Sequence, residues 1–312
     1  MGAGKVLSVN VSEEKGTVKR PVAEIFLTET GVRNDAHAGK WHRQVSMLAA
    51  ESVERFSKEA KRPIGYGEFA ENITTEGLDL RGCGIFDRFR IGEAELELTQ
   101  IGKECHGNYC AIYKEVGNCV MPKEGIFCRV RKTGAVRPGQ EIVHAPKVVR
   151  AFVVTLSDRA SEGGYEDRSG PKVREILDAH FRSWCPRHEI EHALIPDDAE
   201  ALRRLLAEQR DRETDFVFTT GGTGIGERDV TVEVVSGLLD KRLPGIMEMI
   251  RVKYGAENPR ALLSRSVAGV MGKTLVYALP GSVRAVEEYL GEILKTTEHS
   301  LYMLHGIDKH RS

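Results

Sequence analysis

Three continuous apolar segments in the second half of the chain constrain its fold most. They are residues 151–156, 215–220 and 274–279. Each ends in a polar or glycine-bearing turn, and segments with the apolar spacing of a helix follow at 172–181, at 199–209 and after residue 282. Strands that are apolar along their whole length and alternate with helices are typical of a mainly parallel sheet covered on both faces. We therefore predict an α/β domain for residues 148–312.

The first half has a different pattern, with short strands between glycine-rich turns. Residues 93–99 alternate polar and apolar at a period of two, which is typical of a strand with one buried and one solvent-facing side. Further strands are predicted at 5–12, 88–91 and 125–131, and one helix near 46–60. We predict a β-rich, barrel-like domain over residues 1–147, with the boundary around Pro146.

Length and charge are consistent with this division and exclude some functions. The chain has 312 residues, which suits two domains at roughly 100–200 residues each. Its 45 basic and 46 acidic residues give a net charge of −1, which argues against a polybasic surface for nucleic acid or membrane. We find no apolar run of membrane-spanning length and no closely paired cysteines among the six, so we expect a cytoplasmic protein with free thiols.

Polar residues follow the predicted strands of the second half. The four segments are 157–159, 195–198, 219–229 and 280–282. Ligands of open α/β sheets bind where strands end and helices begin, because helix N-termini there offer unpaired N–H groups. The glycines at 221, 222 and 224 let the backbone approach a phosphate or a pterin-like ring, although glycine is also common in ordinary turns.

Two aspartates of these segments could share a cation. Asp197 and Asp229 together provide the carboxylates that Mg²⁺ bound to a nucleotide usually requires. In the alternative interpretation, Asp198 caps the next helix and Asp229 is a solvated turn residue.

The motifs of the second half, taken together, resemble the MogA/MoaB family of molybdenum-cofactor biosynthesis proteins. The matching segments are 157–161, 164–167, 169–171, 219–224, 228–231, 243–245, 263–265 and 279–282. The resemblance implies a three-layer α/β/α fold, a homotrimer, and Mg²⁺- and ATP-dependent adenylylation of molybdopterin. It also assigns Asp197 and Asp229 as catalytic, metal-binding residues.

The same resemblance supplies a set of residues expected to bind molybdopterin or ATP. They are Ser157, Asp158, Thr220, Gly221, Gly222, Thr223, Gly224, Arg228, Ser264, Pro280, Gly281 and Ser282. For Arg228, a phosphate contact and a salt bridge to a nearby carboxylate are both open.

Polar segments of the first half resemble the MOSC domain of molybdenum-cofactor sulfurases. They are 34–46, 66–74, 101–106 and 120–127. The resemblance implies a β-rich fold and a catalytic cysteine that carries sulfur or ligates molybdenum, best matched by Cys105; zinc bound by Cys105, His106 and Cys110 is the rival interpretation. His37, His42 and Arg43 are expected to orient the phosphate of a pterin, or to cap a following helix.

Two functions follow from these observations. In the first, the second domain adenylylates molybdopterin and the first domain binds, sulfurates or hands on the cofactor, since linkage raises the local concentration of an unstable intermediate. In the second, the chain is a non-catalytic carrier that delivers the cofactor to molybdenum- or tungsten-dependent apo-enzymes.

Overall fold

A computed structural model describes residues 2–103, 119–185 and 187–307. These residues divide into two compact units. The first ends at Lys147 and the second runs from Val148 to Ile307.

The first unit is built around a β-barrel. Its strands are β1 (Gly2–Val11), β2 (Arg20–Val22), β3 (Ile25–Thr28), β4 (Gly31–Val32), β5 (Val45–Ala49), β6 (Ile73–Glu76), β7 (Arg88–Ile91), β8 (Ala94–Ile101), β9 (Ile126–Lys132), β10 (Gly134–Val136) and β11 (Glu141–Ala145). The 7 strands β1, β11, β7, β8, β9, β5 and β6 form a closed ring in that order, because β1 pairs with both β11 and β6. The prediction of a β-rich, barrel-like fold is confirmed.

Strand β8 shows how the barrel core is built. Ala94, Leu96 and Leu98 point inward and are fully buried, as the alternating pattern predicted. Glu97, on the other side, is also buried. Its carboxylate accepts a 2.8 Å hydrogen bond from Arg129 on β9 and has two further arginines within 3.7 Å. This paired charge therefore avoids much of the cost of burial.

The helix predicted near 46–60 is shorter in the structure. Helix α1 (Ala50–Ala60) begins only after β5, which pairs with β6 in parallel and with β9 in antiparallel orientation. All of β5 is buried, so its apolar residues carry no period of two, and the sequence run could not distinguish strand from helix. A second short helix, α2, spans Met121–Glu124, and a 3₁₀ turn spans Leu80–Gly82.

The second unit has a six-stranded sheet with helices on both faces. The strands are β12 (Val149–Leu156), β13 (His188–Ile195), β14 (Phe216–Thr220), β15 (Lys241–Arg242), β16 (Ala268–Met271) and β17 (Thr274–Leu279), and the helices are α3 (Asp158–Ser161), α4 (Ser169–Trp184), α5 (Ala199–Asp211), α6 (Thr231–Leu238), α7 (Pro244–Gly255) and α8 (Val283–Leu304). The order is β13-β12-β14-β17-β16-β15, and the first four strands are parallel. A 3₁₀ turn spans Pro259–Leu263.

Alternate residues of the central strands form two cores. Val217 and Val276 belong to an apolar cluster with Leu202 of α5 on one face. On the other face, the ring of Phe218 stacks on Tyr277 at 5.2 Å, and Phe216 lies 5.6 Å from Phe181 of α4. The predicted three-layer α/β/α arrangement with a mainly parallel sheet is confirmed.

Within the described ranges, every helix is too short or too polar to cross a lipid bilayer.

Candidate active site

A cavity of about 750 Å³ opens in the second unit where its central strands end. Each of the four polar segments predicted from the sequence contributes to its lining. The residues of those segments are Ser157, Asp158, Arg159, Asp197, Gly222, Gly226, Glu227, Arg228, Asp229, Gly281 and Ser282. Because β12, β13, β14 and β17 are parallel, their carboxyl ends meet at one edge, which brings these distant segments together.

A second cavity of about 510 Å³ shares part of this wall. Gly226, Glu227 and Asp229 line both cavities, and Arg203 and Arg265 line the second one. Asp229 thus lies where two ligand-sized spaces meet.

Two glycines shape the loop between β14 and α6. Gly221 has a φ of +103° and a Cβ there would lie 2.2 Å from the carbonyl oxygen of Leu156. Gly222 has a φ of +64°, and its Cβ would lie 2.4 Å from Oγ1 of Thr231. That hydroxyl donates a 2.8 Å hydrogen bond to the Gly221 carbonyl. Only glycine allows this close passage of the loop.

Arg265 holds the same loop in place through contacts with two of its carbonyl groups and with Glu233 of α6. Its Nε donates to the carbonyl of Gly224 at 2.6 Å, its Nη2 donates to the carbonyl of Asp229 at 3.0 Å, and its guanidinium pairs with Glu233. Sequence reasoning selected the neighbouring Ser264 instead, whose hydroxyl contacts Ser266 at 2.8 Å. The signal for Arg265 was its place in the 263–265 motif.

Asp158 and Asp197 form a reciprocal pair, in which the backbone N–H of each donates to the side-chain carboxylate of the other. The N–H of Asp158 donates to Oδ2 of Asp197 at 3.0 Å, and the N–H of Asp197 donates to Oδ1 of Asp158 at 2.9 Å. Arg228 binds the Asp158 carboxylate through two hydrogen bonds of 3.0 and 2.8 Å. Of the two contacts open for Arg228, the structure contains the salt bridge.

These contacts shift the pKa values of the two carboxyl groups in opposite directions. The hydrogen bonds from Arg228 lower the pKa of Asp158. Burial raises the pKa of Asp197, and the negative charges of Asp158 and Asp229 raise it further, against the opposing effect of the Asp158 N–H. The carboxylates of Asp158, Asp197 and Asp229 are thus close enough to influence one another, and the guanidinium of Arg228 offsets part of their negative charge.

Asp229 and Asp198 have different surroundings. Oδ2 of Asp229 accepts the N–H of Gly226 at 2.7 Å, and the residue lines the cavity. Asp198 caps α5 by accepting the N–H groups of Glu200 and Ala201, both at 2.8 Å. The predicted cap is confirmed for Asp198.

Helix N-termini add positive potential to the cavity. Ser157 caps α3 through the N–H of Ala160 at 3.2 Å, and Ser282 caps the 22-residue α8 through the N–H of Ala285 at 3.3 Å. Ser169, the first residue of α4, also lines the wall. Such helix ends attract phosphate and other anions.

Asp167 is a lining residue that sequence reasoning did not select. Its carboxylate accepts hydrogen bonds from Thr155 at 2.7 Å and from the N–H of Gly170 at 3.0 Å, and lies 3.3 Å from His192. Burial lowers the pKa of His192 despite this neighbour. The motif 164–167 contained Asp167, but it precedes a helix rather than following a strand, so the strand-end argument missed it.

Some residues expected to bind ligand support the wall rather than line the cavity. They are Thr220, Gly221, Thr223, Gly224, Ser264 and Pro280. The hydroxyl of Thr220, for example, donates to the carbonyl of Pro280 at 3.0 Å and joins the ends of β14 and β17. Its orientation follows from the alternation of side chains along a strand.

In the first unit, a buried ion pair organises the 34–46 segment. Lys19 contacts Asp35, and both side chains are fully buried. Asp35 also accepts the N–H groups of Ser12 and His37 at 3.0 Å each. Burial opposes ionisation of Asp35, but the hydrogen bonds from His37 and Lys19 hold its pKa well below the usual range. Burial lowers the pKa of Lys19.

The three predicted binding residues of this segment take different positions. His37 places Nδ1 3.4 Å from Nζ of Lys19. His42 is buried, and the guanidinium of Arg43 lies 4.8 Å from the ring centre of Trp41. The expectation that they cap a following helix is wrong, because β5 follows them directly.

The 66–74 segment contains a second buried charged residue near this ion pair. Glu71 is fully buried and accepts the N–H of Gly67 at 2.6 Å and the hydroxyl of Thr74 at 2.9 Å; burial raises its pKa. Its charge also acts on Lys19. Cys105, with His106 and Cys110, lies outside the described residues, so its predicted role stays a prediction.

Two family models match the chain in separate halves. The family described as "Probable molybdopterin binding domain" matches residues 152–299, and the MOSC domain matches residues 34–143.

Known proteins resemble the second half. The molybdenum cofactor biosynthesis protein B of Staphylococcus carnosus is 34% identical over 163 residues, which cover 52% of this chain and 92% of that protein. The molybdopterin adenylyltransferase of Helicobacter pylori strain J99 is 33% identical over 161 residues, covering 51% and 90%. Gephyrin of Dictyostelium discoideum is 34% identical over 163 residues, 50% of this chain, and the match spans only 23% of gephyrin.

Proposed function

Since the chain belongs to the MogA/MoaB family of molybdopterin-binding proteins and also carries a MOSC domain, we propose that its second domain transfers AMP from Mg-ATP to molybdopterin. A terminal phosphate oxygen of molybdopterin attacks the α-phosphorus of ATP. The bond between the α- and β-phosphates breaks, and pyrophosphate leaves with the electron pair. The product is adenylylated molybdopterin.

The observation that carries this proposal is the convergence of four strand-end segments on one cavity. At about 750 Å³ it has the size of a small-molecule site. The second cavity, which shares Asp229, supports a reaction between two bound molecules. The N-termini of α3, α4 and α8 suit the phosphates that both substrates carry.

Asp197 and Asp229 are the residues we propose to hold Mg²⁺. Burial is the main cause of the raised pKa of Asp197, and the nearby carboxylates of Asp158 and Asp229 raise it further; a cation bound between Asp197 and Asp229 would offset that negative charge. Bound Mg²⁺ would neutralise phosphate charge. The chain's own part is to position the two anions: the 221–229 loop presents its backbone, and Arg265 keeps that loop in place.

For the first domain we propose cofactor binding followed by sulfuration or transfer to an apo-enzyme. His37, His42 and Arg43 are the residues we propose to orient the phosphate of an anionic pterin, and Cys105 is the proposed sulfur carrier. Joining both domains in one chain keeps the adenylylated product near its next site.

The test incubates the purified chain with molybdopterin and Mg-ATP and measures pyrophosphate release and the mass of the pterin product. We expect the adenylylated pterin from the native chain and from Asp198→Asn, a matched control outside the cavity. Asp229→Asn should lose turnover while keeping its circular dichroism spectrum. Cys105→Ser should still release pyrophosphate. Binding of molybdopterin without pyrophosphate release would identify a carrier and overturn the catalytic proposal.

A further inference from the structure

Three side chains with metal-binding atoms meet at one end of the barrel. Cys83 follows the 3₁₀ turn, Asp87 directly precedes β7, and His144 lies on β11. Because His144 pairs with Gly2, this is the end where β1 begins, whereas the Lys19–Asp35 pair lies beyond the last residue of β1. The cluster therefore lies outside the site proposed for the cofactor.

The three potential ligand atoms lie near enough to one another to share a single ion. The thiol sulfur, a carboxylate oxygen and an imidazole nitrogen all lie within 4.8 Å of one another. Nε2 of His144 is 2.6 Å from Oδ2 of Asp87. Cys83 and Asp87 are buried, and the side chain of His144 is 12% exposed.

The surrounding contacts hold these groups in place. Asp87 accepts the N–H of Gly84 at 2.9 Å and the N–H of Lys147 at 2.8 Å. The ring of His144 stacks on Phe89, with centres 5.2 Å apart and planes 20° from parallel. Hydrogen bonds and packing of this kind orient the ligands of protein metal sites before the ion arrives.

We propose that Cys83, Asp87 and His144 bind a divalent ion of the zinc class, with water as the fourth ligand. Thiolate, imidazole and carboxylate are the ligands zinc takes in proteins. Bonds of about 2.0–2.3 Å place tetrahedral ligands about 3.3–3.7 Å apart, so His144 and Asp87 separate slightly as the ion enters. The thiol proton leaves to solvent, and the imidazole proton moves from Nε2 to Nδ1.

The test uses Co²⁺ as a spectroscopic probe on the full chain, freed of metal by a chelator. A Cys105→Ser/Cys110→Ser/Cys119→Ser background removes the thiols of residues 104–119. We expect one equivalent of Co²⁺ to produce a sulfur-to-cobalt charge-transfer band and the visible bands of four-coordinate cobalt. In that background, Cys83→Ser should abolish the charge-transfer band, whereas Cys185→Ser, which removes a thiol in the other unit, should retain it.

His144→Gln gives a second, independent measurement. In protein metal sites, loss of a residue that only orients a ligand weakens metal binding by about 10–100-fold. Loss of the ligand His144 itself should therefore weaken Zn²⁺ affinity, measured by competition with a chelator, by at least tenfold. Zn²⁺ should also raise the thermal midpoint of the chain that retains all three residues. Absence of the charge-transfer band in the background chain, or its survival in Cys83→Ser, overturns the proposal and leaves a hydrogen-bonded polar cluster without metal affinity.

Discussion

The Gly222→Ala substitution tests the argument that the 221–229 loop requires glycine. An added Cβ would lie 2.4 Å from Oγ1 of Thr231, in a backbone conformation with a φ of +64°. Thr231 must then move, and its buried hydrogen bond to the Gly221 carbonyl breaks. The substitution therefore combines backbone strain with the loss of a buried contact.

The expected cost follows from three contributions. A left-handed conformation costs a non-glycine residue about 1–2 kcal/mol. An unpaired buried carbonyl costs about 1–3 kcal/mol. The lower entropy of the unfolded chain offsets about 0.4–1 kcal/mol. We expect Gly222→Ala to lower the free energy of unfolding of the second domain by about 3 kcal/mol.

Gly163→Ala is the matched control. Its φ of +78° is also left-handed, but an added Cβ there meets nothing within 4 Å, so only about 1 kcal/mol is expected. Thr231→Ala removes the clashing oxygen and itself breaks the hydrogen bond. In the Thr231→Ala chain, Gly222→Ala should therefore lower the free energy of unfolding by only about 1 kcal/mol. The difference from its effect in the native chain is a coupling energy of about 2 kcal/mol between the two positions.

The assay is urea unfolding followed by tryptophan fluorescence. The chain has two tryptophans, so a Trp41→Phe background leaves Trp184 as the reporter of the second domain. Equal effects of Gly222→Ala and Gly163→Ala, or additive effects in the double variant, would refute the steric argument.

Three further predictions concern charge and assembly. Asp35→Asn leaves the buried Lys19 ammonium without its anionic partner and should destabilise the first domain by about 3–5 kcal/mol in urea unfolding. In the native chain, the stability that ionised Asp35 contributes should be fully present above pH about 4 and should be lost as the pH falls through its lowered pKa. Asp229→Asn removes one charge that raises the pKa of Asp197, so a carboxyl NMR titration should report a lower pKa there, and an unchanged value would contradict their proximity. The family resemblance predicts trimers in sedimentation, and a strict monomer would contradict that expectation.

The strands and turns of the second domain were predicted well, because a continuous apolar strand and the polar turn after it are both visible within a few consecutive residues. The prediction for 88–91 in the first half also coincides with β7, and that for 274–279 coincides with β17. The collection of the four polar segments at the strand ends follows from the parallel topology, which strand–helix alternation predicts.

Other features depend on contacts that no local pattern contains. Lys19 pairs with Asp35 across 16 positions, and Arg265 reaches the Gly224 carbonyl across 41 positions. Strand β5 was mistaken for part of a helix because burial on both sides removes the period of two. The hydrogen bond from Thr220 to the carbonyl of Pro280 likewise depends on the pairing of β14 with β17.

The pairing of the first strand with the last one imposes an order on barrel formation. Gly2 meets His144, so a nascent chain cannot close the ring until almost the whole domain has left the ribosome. Until then residues Gly2–Lys5 of β1 lack the partner that β11 provides, and an unpaired strand edge can pair with other polypeptides. The barrel can therefore close only late in synthesis, through a contact between residues far apart in the chain.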